Sequence, residues 1–177
     1  FDIEFTDKAG NVMADYAADE FYVDKTAPTL AISGVADKSA NNGTVAPVIT
    51  VSDTNFNGKS VTYKLTGVNN GTVTYEASVS DTANGQKITF ADFEKAQKVD
   101  DIYTLTAAST DMAGNETTAS ITFSVNRFGS VYDISAMDKT NGKYLKSEDD
   151  VVITETNVDS LNKSDTKVKL IKNGTPT

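Results

Sequence analysis

The side chains able to do chemistry in this sequence are mainly carboxylates and amides, because histidine and cysteine are both absent. Without histidine there is no Ser-His-Asp arrangement, and the commonest zinc ligand is missing. Without cysteine there are neither disulfides nor thiol nucleophiles. Two chemistries stay open to carboxylates. Paired acids hydrolyse glycosides when held a set distance apart, and the chain has two adjacent pairs, Asp100–Asp101 and Asp149–Asp150. Neighbours on a strand point to opposite faces, so both pairs read as solvated loop ends and the chain reads as no enzyme. The second chemistry is chelation of a hard cation such as calcium, which needs several oxygens converging on one point. Asp24, with Asp53 or with Asp7, would supply such oxygens if the fold brings them close. The competing reading of the same acids is structural: Asp7 and Asp111 cap turns, and Asp24 is a linker acid. No other cofactor is implied.

The charge balance narrows the partners. Asp and Glu total 25 against 16 Lys and Arg, a net −9. A nucleic-acid surface needs a clustered basic face, and an anionic membrane attracts basic segments, so neither is expected. No apolar run approaches the roughly 20 residues of a membrane helix, and direct membrane insertion is not expected. The opening FDIEF is strand-like and acidic where a leader would be basic. The chain therefore reads as an internal piece of something longer.

Asp7 and Asp111 belong to a phrase written twice, DKAGN at 7–11 and DMAGN at 111–115, 104 residues apart (111 − 7). The elements around it explain its type. Runs with a period of two recur at 29–32, 47–51, 60–65, 72–79, 87–90, 102–109 and 119–125, separated by Asn-Gly turn signals. These predict about seven strands in two packed sheets, an all-β sandwich of the Ig-like, Greek-key type. Residues 91–101 lack the alternation and carry Glu94 and Lys98 at i,i+4 spacing, which predicts a short helical crossover between the sheets. Tyr103, just after it, fits the tyrosine corner of such sandwiches. The repeated phrase then falls in a hairpin loop. Asp111 would cap the turn and Gly114 would take the left-handed conformation, with Asn115 closing the phrase. Asp7, Gly10 and Asn11 would play the same parts in the first copy. Tyr75 and Phe56 are candidates for contact with sugar or protein, but their types and positions read first as core or sheet-face residues.

The repeat is wider than the phrase. Asp24 aligns with Asn126 at an offset of 102 (126 − 24), and the same offset links ITVSDTNF at 49–56 to VVITETNV at 151–158. A weaker echo joins VTYKL to TKVKLI at 166–171. The chain thus divides into the last two strands of one unit (1–24), a complete unit (25–126) and the first strands of a third (127–177). Such partial units expose edges and apolar residues, for example Phe1, Ile3, Phe5, Phe21 and Val23, and would pair head to tail with another copy unless more chain completes them. Asn42, Asn70, Asn115, Asn162 and Asn173 start N-x-Ser/Thr sequons, which read here as turn chemistry.

The stretch YTLTAASTDMAGNETTASITFSVN closing a unit, and VDKTAPTLAISG opening the next, resemble the bacterial Ig-like domain repeats of adhesin-type surface proteins. The resemblance covers all three copies. It implies an extracellular protein, on the bacterial cell surface or secreted. Its role would be non-catalytic: a structural and adhesive repeat that contacts neighbouring repeats of its own chain and binds a host protein or glycan. The alternative it implies is a spacer or accessory module of a secreted glycan-degrading enzyme or a phage structural protein. Some similar adhesins hold calcium at unit junctions, which again singles out Asp24. Some related domains carry a Lys–Asn isopeptide bond, for which Lys25 and Asn126 are the pair at the unit's ends. The second junction, beginning Asn126-Arg127, lacks the acid and the proline of the first.

Overall fold

Alternation sorts the side chains of the central strands onto one apolar face each, and the structure closes two such faces on one another. The computed structural model describes residues 2–14, 16–58, 60–147, 150–159, 167–169, 171–172 and 175–176. Along the chain the strands are β1 (Asp2–Ile3), β2 (Tyr16–Ala17), β3 (Thr29–Ser33), β4 (Ala40–Asn41), β5 (Val48–Ser52), β6 (Thr62–Gly67), β7 (Gly71–Val73), β8 (Ala77–Thr82), β9 (Gly85–Phe90), β10 (Asp101–Thr110), β11 (Glu116–Val125), β12 (Val131–Asp133), β13 (Thr154–Thr156), β14 (Ile171–Lys172) and β15 (Thr175–Pro176). There is no α-helix among the described residues, and the chain is all-β. Nor is any described helix long and apolar enough to cross a membrane.

Strands β3 to β11 build one sandwich. A four-stranded sheet, β3-β5-β9-β8, faces a five-stranded sheet, β4-β11-β10-β6-β7. This is the Ig arrangement of an outer sheet opposed to one whose centre is the last hairpin and the third main strand. The core between them holds Ile49, Val51, Leu65, Ile88, Phe90, Phe93, Tyr103, Leu105, Phe123 and Val125, all buried. Phe93 is its aromatic hub. Tyr75 stacks on it at 4.2 Å, Tyr103 meets it edge-on at 4.9 Å, and Phe123 at 5.9 Å. Tyr75 and Phe56 both pack against this core.

The tyrosine corner is present. The Tyr103 hydroxyl donates to the Val99 carbonyl at 2.7 Å and accepts from the Asn70 amide at 3.1 Å. The expected crossover is a single 3-10 turn, Gln97–Val99, instead of a longer helix. It does carry the chain from β9 of the four-stranded sheet to β10 of the five-stranded one, and the Glu94–Lys98 pair spans it at 3.4 Å.

Two expectations are corrected, one by strand pairing and one by burial. Residues 72–79 form two strands, not one: β7 pairs with β6 in one sheet, and β8 pairs with β9 in the other. Val73, Tyr75 and Ala77 all pack against the core while the chain changes sheets, so the period of two runs unbroken through the corner. The pair Asp100–Asp101 is not solvated. Asp101 is wholly buried, and its carboxylate accepts from the backbone of Asn69, Asn70 and Ile102 at 2.9, 2.8 and 2.8 Å and from the Asn69 amide at 3.1 Å. A Cβ at Gly67 would collide with that carboxylate, which explains the glycine there. Asp100 accepts from the backbone N–H groups of Arg127 and Phe128 at 2.9 and 3.0 Å.

Outside the sandwich the strands form two-residue or three-residue ribbons: β1 with β2, β12 with β13, and β14 with β15. The β12–β13 ribbon is antiparallel, as β3–β5 is, although its register is displaced by two residues from the 102-residue offset. Phe1, Asp149, the sequon residues Asn162 and Asn173, and parts of the 166–171 echo lie outside the described residues.

Candidate functional site

The two copies of the repeated loop are superposable in their hydrogen bonds. In the first, Asp7 Oδ1 accepts from the Ala9 and Asn11 backbone at 2.8 and 2.9 Å, and Asp7 Oδ2 accepts from the Asn11 amide at 2.8 Å. In the second, Asp111 Oδ1 accepts from Ala113 and Asn115 at 2.8 and 2.9 Å, and Asp111 Oδ2 accepts from the Asn115 amide at 2.8 Å. Gly10 and Gly114 sit at φ +88° and +91°, the left-handed region that a side chain would strain. Each loop therefore needs Asp first to collect donors, Gly fourth to reverse the chain and Asn fifth to return an amide. These bonds hold both carboxyls below the ordinary range. For Asp7 the Asn11 amide contributes most, followed by the Asn11 backbone. For Asp111 burial pushes upward, and the Asn115 amide with three backbone N–H groups outweighs it.

The loops differ in what they touch. Asp7 is exposed and bonds within its own loop. Asp111 is 3% exposed, because its loop packs on the chain entering the sandwich. The Asn115 amide reaches the carbonyls of Asp24 and Thr26 at 3.3 and 3.4 Å. The Met112 N–H donates to the Asn55 carbonyl at 3.0 Å. Asn55 in turn donates its amide to Asp24 Oδ2 at 2.7 Å. Three strand connections thus meet at one end of the sandwich: the linker before β3, the loop after β5 and the β10–β11 hairpin.

At that meeting point Asp24, Asp53 and Asp111 each bring a carboxylate oxygen to within 4.8 Å of the other two. Each acid uses Oδ1 to cap its own turn, on Thr26, Asn55 and Ala113. Asp24 and Asp111 share their second oxygen with a neutral asparagine amide. Neither described ion pair involves any of the three. Oxygens this close can lie in one shell of a calcium ion, whose ligands stand at 2.3–2.6 Å. A divalent cation is a chemically reasonable occupant. Of the acids the sequence singled out, the structure brings Asp24 and Asp53 together and leaves Asp7 apart. The third member is Asp111, expected only as a turn cap. Its equivalence to Asp7 was visible, but which copy of the loop would meet the linker depends on β10 and β11 lying beside β3.

The other end of the sandwich repeats the contact with altered chemistry. Asn126, equivalent to Asp24, donates its amide to Asn157 Oδ1 at 2.5 Å and to Asp159 Oδ2 at 3.2 Å. Asn157 is equivalent to Asn55. The Ser124 hydroxyl also donates to Asp159, at 2.7 Å. Arg127 then anchors the exit of the chain. Its side chain is 4% exposed and donates to Asp92 Oδ1 at 2.7 Å, to the Gly43 carbonyl at 2.9 Å and to the Phe93 carbonyl. Lys25 and Asn126 do not approach one another. Lys25 sits beside the start of β11 and Asn126 just past its end, and ten residues of strand span roughly 30 Å. The isopeptide pairing is therefore ruled out by distance.

No family model matches the chain, and no curated protein matches it. Among solved structures the chain is similar to PcoC, a methionine-rich copper resistance protein from Escherichia coli. The identity is 18% and the TM-score 0.39, over 56% of this chain and 99% of that one. A likeness this distant carries no statement about ligand or activity.

Proposed function

We propose that the chain is part of a tandem array of Ig-like units from a long bacterial surface protein, and that its work is mechanical. Each sandwich extends the polypeptide, and the contacts at its ends limit bending. One observation carries this reading: the same position pair, 24 with 55 and 126 with 157, forms a side-chain hydrogen bond at both ends of the sandwich, one repeat apart. A repeated contact at repeated junctions is what a directed rod needs. Pro28, buried behind the first junction, adds stiffness by fixing its own φ and keeping Ala27 extended. In this reading any host protein or glycan would be held by loops or outward sheet faces. Asp100 and Asp101 serve as caps for backbone N–H groups, which fits a non-catalytic role.

The test uses the absence of native cysteine. Spin labels at Val12→Cys and Thr118→Cys flank the first junction, and electron-electron double resonance reads the distance between them. A single narrow distribution is expected. A broad distribution over tens of ångströms would refute the stiff junction.

A second reading rests on the three-carboxylate cluster: calcium at the first junction, adding stiffness by neutralising Asp24, Asp53 and Asp111 together. Melting with calcium and with chelator decides it. A raised midpoint that Asp53→Asn abolishes is expected, and an identical midpoint in both buffers removes calcium from the account.

A further inference from the structure

We propose that two copies of this chain pair edge to edge through β8, antiparallel, with Val79 of each copy on the two-fold axis. The sandwich blunts its other edges. β4 has two residues and β7 three, and β3 packs against β11 of the facing sheet. β8 is six residues long and, among the described residues, pairs with β9 alone, in unbroken register from Ala77↔Phe90 to Thr82↔Gly85. It contains no proline, no lysine and no bulge, the usual devices that keep an edge from adding strands. Its one charge is Asp81, near its end and already bonded to the Gln86 amide at 3.0 Å.

The side chains choose the partner. Val79 lies opposite Ile88, on the core face of the sheet, yet is 55% exposed while Ile88 is 2% exposed. The core simply stops there. In an antiparallel two-fold pair, residues directly opposite share a face. With Val79 opposite Val79, Ser78 meets Ser80 and Ala77 meets Asp81, so no like charges oppose one another. Moving the axis to Ser80 would set Asp81 against Val79, and moving it to Asp81 would oppose two carboxylates. Centring on Val79 therefore covers the exposed valines and avoids repulsion, which a second copy supplies without any other protein. Two four-stranded sheets become one of eight strands. The strand is short, so the contact is weak in solution. It strengthens where copies are held side by side, through a raised effective concentration. The proposal does not depend on the junction reading above.

Light scattering of the intact chain from about 10 μM to about 1 mM tests it, a range suited to small, transient interfaces. The expected result is a mean mass rising from 18.9 kDa toward twice that value, with Val79→Lys held at the single-chain mass. In a glutathione buffer, Val79→Cys is expected to form disulfide-linked pairs at least tenfold faster than Asp81→Cys. A mass that stays at 18.9 kDa throughout, a pair that survives Val79→Lys, or equal cross-linking at the two positions overturns the proposal.

Discussion

Replacing Arg127 with methionine tests whether the exit of the chain is fastened by its guanidinium. Methionine keeps an apolar stem of similar length and removes three donors. The bond to the Phe93 carbonyl lies deepest, and a charged donor to such a group contributes about 1.5–3 kcal/mol. The Gly43 carbonyl lies on an exposed loop and can be rehydrated, so its bond is worth about 1 kcal/mol. Asp92 is 46% exposed at its side chain and keeps the Val45 N–H at 2.8 Å, so that ion pair adds at most about 1 kcal/mol. The sum is about 3 kcal/mol. A sandwich of this size loses about 4–8 °C in melting midpoint per kcal/mol, so the loss is roughly 12–24 °C. Differential scanning calorimetry of wild type and Arg127→Met reads it directly. A loss below about 3 °C would show that the guanidinium does not fasten the exit, and the mechanical role given to the second junction would fall with it.

Asp101→Ala leaves three backbone N–H groups and the Asn69 amide without their acceptor inside the sandwich, and a loss of about 3–5 kcal/mol in urea unfolding is expected. The lowered carboxyls of Asp7 and Asp111 contribute stability that is present above the unfolded value near pH 4 and is lost as pH falls through their folded values. Urea midpoints should therefore drop below about pH 4, and Asp111→Asn, destabilised at neutral pH, should approach wild type in acid. Burial, then the neighbouring Tyr103, raises Tyr75 to about 12. A raised tyrosine stabilises fully below the unfolded value near 10 and loses that contribution as pH climbs through its folded value. Midpoints should fall between about pH 10 and 12, and less steeply in Tyr75→Phe.

The sandwich was largely legible because its strands are half-buried, and half-burial writes a period of two into the sequence. The repeated loop was legible for a different reason: Asp, Gly and Asn in that order each meet a distinct need of its backbone. What escaped are the features whose cause is remote. Asp101 looked like a solvated loop acid because its donors come from Asn69 and Asn70, some thirty residues earlier. The break between β7 and β8 left no mark, since Tyr75 keeps the alternation while the hydrogen-bond partners change. Asp24 and Asp53 are legible as acids near one junction, whereas the sequence marks Asp111 only as a turn cap. One carboxylate can cap a turn with Oδ1 and face a neighbour with Oδ2, and sequence shows only the first of these uses. Arg127, noted as a departure from the first junction, gave no hint that it would be buried against Phe93.

The Asp111–Asn115 loop holds the chain where it enters the sandwich, and the rate of tryptic cleavage after Lys25 in the native chain reads that hold. Lys25 is exposed, so cleavage is limited by release of the flanking backbone that Asn115 holds through Asp24 and Thr26. Asn115→Ala should speed cleavage by about fivefold or more, the effect of losing about 1 kcal/mol of local restraint. Asn11→Ala, in the loop that does not touch the linker, should leave the rate unchanged. Equal rates in wild type and Asn115→Ala would show that the loop does not hold the entering chain.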